Sequence, residues 1–417
     1  LRGTDLSISE TLRTGGTRGL SRGRSTFRKG LVVAQVALSL MLLVASGLLV
    51  RSYRNLQGQE LGFEPENLLY ARVALPRYKY DTLSEVWSDW ERLSLLLRSS
   101  PGVRAIGAVD RPPLSGEGPT NDVWAAERPP SSAADRVDAT RRYVAEEFFD
   151  VLRIPLLAGR TFVDTDGLEE EEDPPVVVNE TLARQFFPGE DPLGKTLVFD
   201  YDIIRNLEIV GVVADIKERD PGTDPFPTFY LPARWSPRLN INIFVRTQGD
   251  PVDLSAALRQ AVQAVDPGIP IPTVQTMEAR LADSLFQPRF RSILVSLFAL
   301  VAVVLSAIGV YGVLACFVRG RTHEIGIRRA LGAGTGGTAG LVLWQGGILV
   351  GSGILVGFAG AFAGARVLQS WLFGLGAMDP LTCLGVGLLV AMAGLSACLA
   401  PTLRALRVDP VEVLKAE

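Results

Sequence analysis

Four long apolar runs, separated by polar stretches, organise this chain. Leu31–Val50, Ser292–Val318, Thr338–Ala365 and Leu381–Leu403 hold 20, 27, 28 and 23 residues, and none contains a charged side chain. About 20 apolar residues cross the hydrocarbon core of a bilayer, and a charge at the centre of a span costs roughly 2.5–3.5 kcal/mol. One such run fits a buried core helix equally well. Four runs of this length predict transmembrane helices. The first is too long for the apolar region of a secretory signal, and it lacks a small-residue cleavage site before the polar segment that follows.

The polar stretch 51–291 carries a different pattern. Asn67–Pro76 reads as a strand, with Leu69, Val73 and Leu75 among its apolar residues. Thr82–Ser99 reads as an amphipathic helix, because Val86, Trp90, Leu93 and Leu97 recur at helical spacing, and Val103–Val109 reads as a second strand. The order returns in Asn240–Arg246 (strand), Pro251–Val265 (helix) and Ile269–Val274 (strand). A β-α-β unit split into 66–110 and 240–275 is therefore expected, flanking an inserted subdomain at 111–239. The insert is rich in Pro, Gly and acid. Within it Val176–Val178, Glu208–Val213 and Thr228–Leu231 read as short strands, and the acidic run Glu169–Asp173 as a solvated loop. The expected class is thus a membrane α-helical protein, four transmembrane helices in a 1+3 arrangement, with an inserted α+β extracytoplasmic domain of two subdomains.

Charge supplies the orientation. Residues 1–30 hold seven Lys and Arg, including Arg18, Arg22, Arg24, Arg28 and Lys29, against Asp5 and Glu10. The short loop 319–337 holds Arg319, Arg321, Arg328 and Arg329 against Glu324, whereas 366–380 holds only Arg366 and Asp379. Cytoplasmic segments are enriched in Lys and Arg. The basic linker 1–30, the loop 319–337 and the tail 404–417 are therefore expected in the cytoplasm, and 51–291 outside. That outer stretch holds 27 basic and 38 acidic residues, a net of −11. Composition agrees: the chain is 47% hydrophobic yet 21% charged, so its apolar residues are concentrated rather than spread. Cys316, Cys383 and Cys398 all lie in the apolar runs, so no disulfide framework reports the compartment. A single histidine, His323, excludes a multi-histidine metal site. No catalytic, cofactor-binding or metal-ligating residues are assigned.

Two letter matches are set aside. Gly189 to Thr196 fits the phosphate-loop pattern GxxxxGK[ST]. That loop works between a strand and a helix whose N–H groups surround the phosphates. Here Glu180–Phe187 reads as helix and Leu197–Asp200 as extended, the reverse order. Glu190 and Asp191 repel phosphate, and Pro192 removes an N–H. Asn179-Glu-Thr181 spells a glycosylation sequon, which has meaning only in a eukaryotic secretory protein.

The loop between the second and third spans reads Arg319-Gly-Arg-Thr-His-Glu-Ile-Gly-Ile-Arg-Arg-Ala-Leu-Gly-Ala333. Thr322 is expected to cap a short helix, with Glu324 in its first turn and Arg328 four residues on. Ile327, Ala330 and Leu331 form a small apolar face, and Gly332 and Gly334 end the helix. A short helix of this kind on the basic side suits docking into a groove of a cytoplasmic partner; a membrane-surface helix without a partner fits the pattern as well. These residues resemble the coupling loop of the FtsX/MacB family of ABC transporter permeases. Val176 to Thr196 and Glu208 to Lys217 resemble the MacB-like periplasmic core domain, and Arg404 to Lys415 resembles the tail of such permeases. The chain is most similar to the C-terminal half of the duplicated permeases of the acidobacterial (ADOP) type. The resemblance implies a separate cytoplasmic ABC ATPase docking on Glu324, Ile325, Gly326, Ile327, Arg328, Arg329, Ala330, Leu331 and Gly332. No cofactor is then expected in this chain itself, ATP being bound by the partner ATPase. Gln345 stands where many members carry an acidic residue early in the third span. Asp5 to Arg13 echoes Asp409 to Lys415, which together with the initial Leu1 predicts an upstream permease unit; otherwise the second permease unit is a homodimeric partner.

The third span is rich in glycine. Gly340, Gly347 and Gly351 fall on one helical face, and Gly346, Gly353, Gly357, Gly360 and Gly364 on another. Gly347/Gly351, Gly353/Gly357 and Gly360/Gly364 are pairs four residues apart that admit close helix approach, so packing against two neighbours is expected. Lipid is the remaining partner. No span contains a charge, so no ion or proton relay is visible. The expectation is a permease subunit of the cell (inner) membrane, not an enzyme. It couples ATP hydrolysis in a partner to motion of the outer domain, for mechanotransmission or for export of an antibiotic, peptide, lipid or lipoprotein. A membrane receptor or scaffold with a ligand-binding outer domain is the alternative, although its cytoplasmic parts are too short for an output domain. A membrane enzyme acting outside is disfavoured, because 51–291 contains neither His nor Cys.

Overall fold

A computed structural model describes residues 8–116, 118–132, 136–145, 147–168, 173–200, 204–270, 273–322, 324, 327, 335–368 and 379–406. Two compact units result, Leu56–Phe286 and the pairing of Leu1–Asn55 with Gln287–Glu417.

In the first unit the split element forms as expected from its alternation. Strand β1 (Leu68–Ala74), helix α2 (Leu83–Arg98) and strand β2 (Val103–Val109) precede the insert; strand β10 (Asn240–Thr247), helix α5 (Ser255–Val265) and strand β11 (Thr273–Thr276) follow it. The four strands lie in the order β11-β1-β10-β2, each neighbour antiparallel, with Leu68 opposite Arg246 and Asn242 opposite Val109. Helix α2 buries Val86, Trp87, Trp90, Leu93 and Leu97, one stripe at helical spacing. That stripe and Leu258, Ala261 and Val262 of α5 cover one sheet face, closing a core with Leu69, Val73, Ile106 and Val245. The last strand is shifted from its expected place at Ile269–Val274. Ile269 is instead 3% exposed in the core with α5, and among the described residues pairing with β1 runs from Thr273 to Thr276.

The opposite sheet face is covered from within the insert. Helix α3 (Phe148–Leu152) buries Phe148, Phe149, Val151 and Leu152 against Leu68, Val109 and Phe244. Gly107 on β2 permits this approach, since a Cβ there would fall 2.9 Å from Phe148 Cα.

The insert is a closed ring of strands rather than the loose set of short strands read from its sequence. Strands β3 (Thr120–Ala125), β4 (Val137–Val144), β6 (Val176–Asn179), β7 (Thr196–Asp200), β8 (Ile204–Val213) and β9 (Thr228–Pro232) run β4-β3-β7-β8-β6-β9, and β9 pairs back onto β4. Strand β5 (Leu156–Gly159) adds to β8. Closure removes exposed edges, and a ring this small is filled by its own side chains. Val123, Ala139, Val178, Leu197, Phe199, Leu207, Ile209 and Phe229 form that filling. One pair, Val109 opposite Val144, joins the ring to the split element.

In the other unit the expected spans are long helices. The first, α1 (Ile8–Gln57), begins within the stretch read from sequence as a linker; the second is α7 (Phe286–Gly320), the third α8 (Thr335–Leu368) and the fourth α9 (Pro380–Leu406). Four segments within them, Thr26–Gln57, Phe286–Gly320, Gly336–Gly364 and Pro380–Leu406, are long and apolar enough to cross a membrane. Their buried positions mesh in one cluster containing Val36, Leu40, Val310, Leu314, Val350 and Val390, while Trp344, Leu355, Leu381 and Leu384 stay exposed, as suits lipid-facing positions. The short helices α4 (Glu180–Phe186) and α6 (Met277–Ser284) belong to the first unit.

Candidate functional site

The bundle is knitted by small and hydroxyl side chains. Along the first and second spans the contacts run antiparallel. Arg28 approaches Cys316 Sγ at 3.5 Å, Ser306 donates to the Gln35 carbonyl at 3.1 Å, and Ser46 meets Ser296 at 2.7 Å. The third span runs parallel to the first. A Cβ at Gly353 would fall 2.6 Å from Val36 Cβ, and one at Gly357 would fall 3.0 Å from the Ala37 carbonyl oxygen and 3.1 Å from Ala37 Cα. A Cβ at Gly360 would overlap the Met41 side chain. The fourth span packs antiparallel on the third, where Gly346 faces Cys398 and Gly394 faces Val350. Without a hydrophobic driving force between helices in lipid, such close backbone approach is what holds spans together.

Glycine spacing therefore identifies the contact at Gly353, Gly357 and Gly360 but not its limits. A Cβ at Gly340, Gly347 or Gly351, the three of one expected face, or at Gly364 of the other, would meet nothing within 4 Å among the described residues, and the second neighbour is met instead through Gly346. Gly357→Leu is expected to wedge the first and third spans apart and to destabilise the bundle by about 1–3 kcal/mol. Gly351→Leu, in open space, should change stability by no more than about 0.5 kcal/mol. Thermal unfolding of both variants in the same lipid environment distinguishes them.

At the other end of the bundle Arg51, near the end of the first span, pairs with Asp379, which also accepts from the Thr382 N–H at 2.9 Å and from its hydroxyl. The bonds from Thr382 are the main cause holding the Asp379 carboxyl below the usual carboxylate range, with Arg51 adding to them. Sequence reading missed this pair, because the acidic partner lies 328 residues away.

Of the candidate coupling residues, Glu324 and Ile327 are described. Ile325, Gly326, Arg328, Arg329, Ala330, Leu331 and Gly332 lie outside the described residues. Ile327 is 38% exposed, and Glu324 lies 3.7 Å from Arg321. The Ile325 N–H that Thr322 is expected to cap lies outside the described residues. The Thr322 hydroxyl donates back to the carbonyls of Val318 at 3.1 Å and Arg319 at 3.0 Å, finishing the second span. A hydroxyl at the end of a helix satisfies orphan carbonyls in this way.

The phosphate-loop letters fall between helix α4 and strand β7, the reverse of the order the chemistry needs. Lys195 pairs with Glu190 and lies 4.8 Å from the centre of the Phe187 ring, while Arg128 reaches Glu190 at 2.8 Å. Asn179 of the sequon is 2% exposed and committed to structure. It accepts from the N–H groups of Leu182 and Thr228 and donates to Asp215 and to the Phe226 carbonyl. Lys195→Ala is accordingly expected to leave ATP hydrolysis by the assembled complex within about threefold of wild type, under roughly 0.7 kcal/mol, measured as phosphate release.

A buried polar cluster was not legible in the sequence. Arg142 on β4 and Tyr230 on β9 are register partners, and both reach Glu218. Arg142 Nε donates to Glu218 Oε2 at 3.0 Å, Arg142 Nη2 sits 2.9 Å from the same oxygen but off the line of a hydrogen bond, and the Tyr230 hydroxyl donates to Oε1 at 3.1 Å. Arg142 is 1% and Glu218 4% exposed. Burial, reinforced by the Glu218 charge, pushes the Tyr230 hydroxyl well above its ordinary value. The cluster joins β4, β9 and the segment after β8, so its role is to hold the ring.

Comparison with known proteins places both units. The MacB-like periplasmic core domain matches residues 30–265, and the FtsX-like permease C-terminal region matches residues 296–410. The macrolide export ATP-binding/permease protein MacB of Neisseria meningitidis is 27% identical over 209 residues, covering 46% of this chain and 30% of that protein. The ABC transporter permease YknZ of Bacillus subtilis is 25% identical over 307 residues, covering 68% of this chain and 71% of that protein. The probable syringafactin export ATP-binding/permease protein SyfD of Pseudomonas syringae is 27% identical over 308 residues, covering 67% of this chain and 42% of that protein. This chain thus spans about a third of the MacB relative's length. Among solved structures, the periplasmic region of MacB from Actinobacillus actinomycetemcomitans aligns at 15% identity with a TM-score of 0.36, covering 54% of this chain and 95% of that one. The first family covers more than half of the chain, and the second takes up the spans that follow it. With four membrane-length helices and a mixed α/β domain between the first two, this chain belongs to the FtsX/MacB-like family of ABC transporter permeases.

Proposed function

We propose that this chain is the permease of an ATP-driven machine in the cell membrane. A partner ATPase on the cytoplasmic side binds and hydrolyses ATP, docks on Glu324–Gly332, and drives motion of the outer domain. The observation that carries this reading is a continuous mechanical route. The 319–337 loop leads into the third span, the third span lies on the backbone of the first span at Gly357, and the first span continues into the unit Leu56–Phe286. Backbone contact transmits displacement with little slack, because close-packed interiors are stiff. The relatives named for macrolide export and for syringafactin export favour export as the output. The cargo class remains antibiotic, peptide, lipid or lipoprotein, and release by mechanical transmission uses the same route. A second permease unit, as a homodimer or an upstream repeat, and surrounding lipid complete the assembly.

Orientation follows from the basic residues of 1–30 and 319–337, with both termini in the cytoplasm. The test is labelling by a membrane-impermeant thiol reagent on whole cells, with single cysteines placed in a cysteine-free chain at Ser132 or Thr335. Labelling is expected at Ser132→Cys and not at Thr335→Cys. The opposite pattern overturns the orientation.

A further inference from the structure

We propose that the four-span unit holds an anionic phospholipid in a fixed seat, its headgroup phosphate among Arg28, Arg319 and Arg404 and an acyl chain along the outward face of the second span. Three helices build the seat. Arg28 of the first span reaches Cys316 Sγ at 3.5 Å, and the guanidinium of Arg404 on the fourth span lies 5.7 Å from the centre of the Tyr311 ring. Both contacts fall on the second span, which is thus flanked by a guanidinium from each neighbour. At about 100° per residue, Tyr311 and Cys316 stand about 140° apart around that helix, and Arg319 falls between them. The buried row of the same helix, Val310, Leu314 and Val318, faces away from Arg319 into the bundle. Arg28, Arg319 and Arg404 are all exposed.

Toward the middle of the membrane this face is apolar and uncovered. Val301, Leu305 and Ile308 are exposed, and a Cβ at Gly312 would meet nothing within 4 Å. Gly312 lies one turn from Ile308 and one turn from Cys316, so it leaves a notch in the face just short of the guanidinium groups. An acyl chain fits such a strip, whereas a soluble anion gains nothing from it. The arginine stems lie along the apolar surface while their charged ends reach the headgroup level.

Charge selects the headgroup. Glu324 is the acid described in the loop after the second span, and it stands 3.7 Å from Arg321, which lies over Phe317 on a different side of the helix. Arg28, Arg319 and Arg404 make no ion pair among the described residues. Guanidinium forks match phosphate oxygens, and basic pockets between spans hold anionic headgroups. A phosphatidylcholine or phosphatidylethanolamine headgroup brings its own cation against three guanidinium groups; phosphatidylglycerol does not. That the seat opens to the cytoplasmic leaflet rests on the orientation proposed above, whereas the binding itself does not.

The test is native mass spectrometry of the full chain in detergent, titrated with phosphatidylglycerol, phosphatidylethanolamine or phosphatidylcholine of identical acyl chains, and with glycerol 3-phosphate as a headgroup without chains. Phosphatidylglycerol is expected to be retained at least about tenfold better than either zwitterionic lipid, and glycerol 3-phosphate should not displace it. A basic residue near a membrane surface contributes roughly fivefold, so Arg28→Gln, Arg319→Gln and Arg404→Gln should each weaken retention by about that factor and the triple variant by about a hundredfold. Arg321→Gln removes the same charge from the same end but away from the seat, and should leave retention within about twofold. Thermal unfolding checks that each variant folds. Equal retention of the three lipids overturns the proposal. So does a loss in Arg321→Gln equal to that in Arg319→Gln, which would mean diffuse charge and no seat. Cross-linking of two copies through the exposed Cys316 in the bilayer would mean that a second copy covers this face, and overturns it as well. None of these outcomes bears on the orientation or on the ATPase.

Discussion

Arg142→Met is expected to destabilise the extracytoplasmic domain by roughly 3–5 kcal/mol, because it strands the Glu218 carboxylate in a site with almost no water. Glu218 is 4% exposed and takes both of its close partners, Arg142 and Tyr230, from strands of the insert ring. The loss should exceed that from any exposed pair, such as Arg98 with Glu147, for which about 0–1 kcal/mol is expected. Replacing both charges, as Arg142→Met with Glu218→Leu, should recover a large part of the loss, since buried ion pairs contribute mainly by not being broken. Denaturant unfolding followed by tryptophan emission reads all of these variants. Equal stability of Arg142→Met and wild type would show that the cluster is hydrated and that the ring is held otherwise.

The legible parts of this fold are those written in local pattern. The spans were visible because an uncharged run of 20 or more residues has few soluble uses. Helix α2 was visible because Val86, Trp90, Leu93 and Leu97 mark a single face. The ring was not, since its closure depends on β4 meeting β9 and β3 meeting β7, pairings across 72 to 88 residues that leave no local trace. Strand β4 is also disguised. Arg141 and Arg142 lie in it, a residue type mostly found exposed, yet both are buried, Arg142 against a carboxylate from a distant loop. Arg246 on β10 is similar. It is 4% exposed and spends its guanidinium on the carbonyls of Val151, Glu66 and Glu64. Composition penalises such residues in a core, and only the fold shows their acceptors. Among the glycines, spacing could not say which positions another span covers: Gly346 meets the fourth span, Gly353, Gly357 and Gly360 meet the first, and Gly347, Gly351 and Gly364 meet nothing within 4 Å among the described residues.

The second large effect concerns the docking loop. Leu331→Asp is expected to abolish capture of the partner ATPase, with a loss of about 2 kcal/mol or more, roughly thirtyfold in affinity. On the proposed docking, Ile327 and Leu331 are the apolar anchors of the segment, and a carboxylate in a desolvated groove finds no partner. Arg328→Ala and Arg329→Ala, at the rim, should cost less and should depend on salt. Pull-down of the ATPase from native membranes by the tagged permease measures this, with membrane insertion of each variant checked in parallel. Equal recovery with wild type and Leu331→Asp would remove this segment from the mechanism while leaving the spans in place.

The central claim is that ATP turnover on one side of the membrane moves the domain on the other. Its most direct measurement uses the permease with its captured ATPase in lipid nanodiscs, carrying an environment-sensitive fluorophore on a single cysteine at Ser132, an exposed position between β3 and β4. Addition of Mg-ATP is expected to change the emission from the outer domain, reversibly as ATP is consumed, and Leu331→Asp should abolish the change. Unaltered emission while the bound ATPase hydrolyses ATP at its full rate would contradict the claim.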